Sequence, residues 1–153
     1  MKNSNKKGFT LVELVVVIAI IGVLAAILVP SMMGYVKKSR LKTANGNAKT
    51  AYNAVAEYLA DRETQGLLED ESTTTDAAKT SAEAELSTNG NGSGEVRVAF
   101  GDLTAANPVF GVQWARTAND EIVGQYPNPP QTVAQAQALT FGTIDTDAMT
   151  ASN

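Results

Sequence analysis

The sequence contains no cysteine and no histidine, and only 6% of it is aromatic. The absence of cysteine excludes a disulfide framework, so a small exported domain would have to be held by packing and by its neighbours. The absence of histidine removes the commonest general base and metal ligand. With neither residue, no base is at hand to activate a serine or threonine nucleophile. The Gly/Asn run Asn89 to Gly94 lacks the lysine of a phosphate-cradling loop. No enzyme activity, catalytic residue or cofactor is therefore expected.

Positive charge is scarce beyond the first few residues. The whole chain carries a net charge of −4, with Lys2, Lys6 and Lys7 among its twelve basic residues. Without residues 1–8, nine basic side chains face sixteen acidic ones, a net of −7. Such a surface repels phosphate, and no basic patch is interleaved with aromatics, so no nucleic-acid contact is expected.

What the chain does have is a long apolar run. From Leu14 to Val29 there is no charge, and the stretch extended to Met33 is 20 residues. About 20 helical residues cross the hydrocarbon layer of a bilayer. Lysines precede the run and none interrupts it, which places the N-terminus in the cytoplasm. A secretory signal peptide has a shorter apolar region, roughly 7–15 residues, that ends in a small-residue cleavage site. A plain single-pass anchor accounts for the length but not for Glu13, since a carboxylate within a membrane helix costs roughly 2.5–3.5 kcal/mol.

A third reading accounts for both. Lys6-Lys7-Gly8-Phe9-Thr10-Leu11-Val12-Glu13-Leu14 resembles the class III signal of type IV prepilins and pseudopilins, and the likeness extends from residue 6 to about 38. It implies that a membrane prepilin peptidase cuts between Gly8 and Phe9 and then methylates the new amine of Phe9. Gly8 has no side chain, so an extended backbone can lie close against the protease carboxylates. Glu13 lies one helical turn after Phe9, and an α-amine, its own or a neighbour's, would offset the burial of its carboxylate. The resemblance implies the neighbour's amine, with Glu13 and Thr10 serving assembly. Gly22 and Pro30 bracket Val23 to Val29, and the resemblance implies a segment there that melts or stretches in the filament; a proline kink is the plainer reading.

After Met33 the pattern becomes amphipathic. Tyr35, Val36, Leu41, Ala44, Ala48, Ala51, Tyr52, Val55, Ala56 and Leu59 recur at helical spacing, which predicts one helix from Phe9 to about Arg62. The basic cluster Lys37 to Lys42 would lie at the outer membrane surface, solvated or bridged to acidic neighbours. Gly66 is expected to end the helix. Thr75 to Leu86 reads as a short helix capped by Thr75 or Asp76. Asn91-Gly92-Ser93 matches a glycosylation acceptor, a short motif with a high chance rate. Strands are expected at Glu95 to Phe100, Val109 to Ala115 and Glu121 to Tyr126, with Phe100, Phe110 and Trp114 as core. In the tail, Thr132 to Leu139 suggests a short helix and Phe141 to Ile144 an edge strand.

The expected fold is thus α+β, a long N-terminal helix on a small antiparallel sheet. The expected segments are a leader (1–8), a transmembrane or filament-core helix (9–35) and a headgroup (36–153). The headgroup would hold a variable loop (about 64–94), a sheet (about 95–126) and a tail. The implied function is a structural type IV pilus subunit: membrane-anchored first, then part of a homo-oligomeric surface filament built by inner-membrane assembly machinery. A pseudopilin of a secretion or competence machine is the alternative; an anchored binding protein would leave Glu13 buried and unpaired. Asp145 and Asp147 are the calcium candidates, two acids without further clustered oxygen donors, and no metal is assigned.

Overall fold

The computed structural model describes residues 8–66, 71–88, 94–101 and 109–146. Its elements are α1 (Leu11–Thr64), α2 (Glu71–Thr88), β1 (Glu95–Phe100), β2 (Phe110–Ala115), β3 (Gly124–Tyr126) and α3 (Val133–Ala138). The chain divides into two compact units, Met1–Val36 and Lys37–Asn153.

In the second unit, α1 buries Leu41, Ala44, Ala48, Ala51, Val55 and Leu59, a stripe spaced by three or four residues. At Gly66 the backbone is left-handed (φ +68°), and its N–H donates to the Glu63 carbonyl at 3.0 Å, which closes the helix as expected. The sheet is antiparallel in the order β1-β2-β3. β1 pairs with β2 from Glu95–Ala115 to Phe100–Phe110, and β2 pairs with β3 from Val112–Tyr126 to Trp114–Gly124.

The alanines of α1 let the sheet come close. A Cβ added at Gly124 would collide with the Ala44 carbonyl, so strand and helix meet there backbone to backbone. Tyr52 of α1 stacks on Phe110 at 4.2 Å and meets the edge of Tyr126 at 4.8 Å. Phe100, Phe110 and Trp114 lie in the core, as read from the sequence.

Three expectations need correction. The helix expected at Thr75 to Leu86 begins at Glu71 and runs to Thr88, so neither Thr75 nor Asp76 is its cap. It buries Thr74, Ala78, Ala82 and Leu86 and packs on β1. The third strand is only three residues long: Asp120 accepts the Ile122 N–H at 3.1 Å and bends the chain before Gly124. Phe141 to Ile144 is a turn rather than a strand, with the Thr143 N–H donating to the Thr140 carbonyl at 3.0 Å.

That turn covers the back of the sheet. Every residue of β2 is buried, on both faces. Gln113 points away from α1's aromatic partners, and its amide is fully engaged there. Its Nε2 donates to Gln125 Oε1 and the Thr143 carbonyl, and its Oε1 accepts from the Gly142 N–H. α3 is reached through a capping box: Thr132 accepts from the Gln135 N–H, and the Gln135 side chain accepts from the Thr132 N–H. The expected helix at Thr132 to Leu139 is thus present, one residue shorter at each end.

Candidate functional site

The segment that carries the sequence motif starts as coil and becomes helix within three residues. Gly8, Phe9 and Thr10 precede α1, and Phe9 is 87% exposed. Thr10 is the cap. Its hydroxyl accepts the Glu13 N–H at 3.3 Å, and its carbonyl accepts the first helical bond, from Leu14 at 3.2 Å. Glu13 answers: its Oε2 accepts the Thr10 N–H at 2.9 Å and the Thr10 hydroxyl at 2.8 Å. Thr10-Leu11-Val12-Glu13 is therefore a capping box, two orphan groups satisfying each other across the first turn. Sequence reading missed it, although a threonine three residues ahead of a glutamate is its usual signature.

This arrangement has two chemical consequences. The Gly8–Phe9 peptide lies outside the helix, ahead of its first turn. The Glu13 carboxylate is meanwhile stabilised locally, through one oxygen. Its Oε1 makes no hydrogen bond among the described residues.

Beyond the cap, α1 is regular through both expected interruptions. Gly22 sits in open space, and Pro30 lies inside the helix. Proline has no N–H, so the Ala26 carbonyl loses its usual i+4 donor; two residues on, the Leu28 carbonyl accepts from the Ser31 hydroxyl at 2.9 Å. The bracketed Val23 to Val29 is continuous helix here. Nineteen large apolar side chains from Phe9 to Val36 are 48–87% exposed. By length and composition α1 is able to cross a membrane.

At the other end of the chain, Asp145 is described and Asp147 lies outside the described residues, as do Asn91-Gly92-Ser93 and leader residues 1–7. Among the described residues no group of three or more acidic side chains is placed to hold a metal ion.

Comparison with known proteins bears out the resemblance. Residues 3–29 match the family model of the prokaryotic N-terminal methylation motif. A fimbrial protein, EcpC, of Eikenella corrodens is 49% identical over 62 residues, 40% of each chain. The type IV major alpha-pilin of Moraxella bovis is 44% identical over 68 residues, 44% of this chain and 43% of that one. The type IV major pilin protein PilA of Myxococcus xanthus is 38% identical over 61 residues, 40% of this chain and 28% of that one. The chain thus covers less than half the length of these relatives. No solved structure matches.

Proposed function

We propose that this chain is the precursor of a structural subunit of a type IV pilus, clipped between Gly8 and Phe9, methylated at Phe9 and assembled through its N-terminal helix into a surface filament. One observation carries the proposal: a matched N-terminal methylation motif, with its glutamate in a capping box, opens an apolar helix whose large side chains are exposed. The names of the relatives, fimbrial protein and type IV major pilin, support a pilus over a pseudopilin. They describe structural proteins, and no catalytic role is proposed.

Before assembly, residues 9–35 span the membrane with the leader on the cytoplasmic side, and lipid covers the exposed apolar face. Thr10 lowers the cost of keeping Glu13 near the hydrocarbon by supplying two donors to its carboxylate. Cleavage then creates an amine at Phe9. Glu13 Oε1, without a hydrogen bond among the described residues, accepts from the amine of a neighbouring subunit, and that contact sets the register of one helix against the next. The proline's missing bond at Ala26 makes Gly22 to Pro30 the least secured stretch of α1, and this is where it yields when the filament is packed or pulled.

Electron microscopy of cells with an antibody to the headgroup tests the filament. Long labelled fibres are expected. Label confined to the envelope would overturn the pilus reading in favour of a pseudopilin.

A further inference from the structure

Four cations lie within six residues directly after the apolar stretch: Lys37, Lys38, Arg40 and Lys42. The structure divides them into two kinds. Lys37 approaches Glu121 at 3.6 Å, and Arg40 is held by Asp120 at 2.6 Å. Lys38 and Lys42 are exposed and make no ion pair or hydrogen bond among the described residues. They are four residues apart, so both project from one face of the helix. No acidic residue occurs in the sequence between Leu14 and Ala56 to neutralise them.

We propose that Lys38 and Lys42 form a docking surface for anionic lipid headgroups in the leaflet on the headgroup side. The proposal rests on residues 9–35 spanning the membrane. Given that span, chain connectivity alone fixes the depth. Lys38 and Lys42 follow its end by three and seven residues, about 4 and 10 Å along a helix rising 1.5 Å per residue. Those distances bracket the polar layer that lies on each side of the hydrocarbon core. Lysine stems also reach back along apolar surface while their ammonium groups stay among the headgroups.

The pairing decides which cations serve. Lys37 and Arg40 already face carboxylates of the loop before β3, so a lipid phosphate would have to compete with an internal partner. Lys38 and Lys42 have no such competitor among the described residues. The rest of the headgroup is net negative and repelled by an anionic membrane, so these two lysines hold the subunit at the surface against that repulsion while it waits to be assembled. Juxtamembrane basic residues of this kind raise affinity for anionic lipid about fivefold each.

The test uses the full chain in nanodiscs of equal phosphatidylglycerol and phosphatidylcholine, released into native mass spectrometry so that retained lipids are counted. Phosphatidylglycerol should be retained preferentially. K38Q/K42Q should lose that preference by about fivefold per lysine, whereas K49Q, whose ammonium sits 5.7 Å over the Tyr126 ring, should keep it. Equal retention of the two lipids by the wild-type chain would overturn the proposal, as would an unchanged preference in K38Q/K42Q or an equal loss in K49Q. A chain that does not enter nanodiscs at all would overturn the span reading along with it; one that enters without preference overturns this proposal alone.

Discussion

The two parts of α1 solve opposite problems with apolar residues. Up to Val36 the helix carries valine, isoleucine and leucine all round, and these side chains remain at least half exposed or nearly so. From Leu41 to Leu59 it carries a narrow stripe, half of it alanine, and that stripe is buried beneath the chain's own sheet. Large side chains on every face suit a solvent of hydrocarbon or of other helices. Small side chains on one face suit close contact with a backbone, as at Ala44 and Gly124. The first part thus depends on something outside the chain, and the second is satisfied within it. Substitutions in the first should spare the headgroup fold and disturb assembly; substitutions in the second should do the reverse.

The largest effect should come from Glu13→Ala. The chain should still insert and be cleaved, but the yield of filaments in a shear-and-pellet assay should fall at least tenfold. Normal yield would mean that the carboxylate has no role in assembly. The strongest counterpart in the headgroup is Gly124→Val, which forces a branched side chain into the Ala44 carbonyl. It should destabilise the unit by about 3 kcal/mol, read as a lower denaturation midpoint of Trp114 fluorescence in detergent, with cleavage at Gly8–Phe9 unchanged. Somewhat smaller is Asp120→Ala. It leaves Arg40 half-buried without its partner and frees the turn at Ile122, a loss of about 2 kcal/mol in the same assay. Thr10→Ala removes the cap and should cost about 1 kcal/mol of helix stability, seen as faster amide exchange at Leu11 to Leu14 and no change beyond Lys37.

The smallest effect is one of pH. Burial, and then the neighbouring Tyr126, push the Tyr52 phenol above its ordinary 10.0. The folded state therefore favours the neutral phenol. Its contribution is complete below pH 10, declines as the pH rises past that value and is gone above the raised folded one. Alkaline titration of tyrosinate absorbance should show Tyr52 ionising late. Tyr52→Phe should remove that step and flatten the fall of headgroup stability above pH 10.

Much of this division is written in local pattern. The 20-residue run, the stripe at three- and four-residue spacing, Gly66 and the alternation in Glu95 to Phe100 are each set by neighbours a few residues apart, and each appears where the pattern puts it. What escaped reading depends on contacts distant in sequence, or on weak local chemistry. α2 packs on β1 and buries Thr74, Ala78, Ala82 and Leu86, yet three of those four residues are too small to give a periodic apolar signal. β3 is cut short by Asp120, whose partner Arg40 lies 80 residues earlier. The turn at Thr143 is held by a side chain 30 residues away, Gln113, which on its own reads as an exposed strand position. The capping box is the exception: a threonine three residues before a glutamate makes it legible at Thr10 and Glu13.

The whole contrast between the two parts of α1 depends on the first part being made for processing and assembly, and the Gly8–Phe9 bond is where that is decided. The most direct test is mass spectrometry of the chain co-expressed with a prepilin peptidase. The account predicts loss of residues 1–8 and one methyl group on the amine of Phe9. An intact chain, or a cut at any other bond, would contradict it.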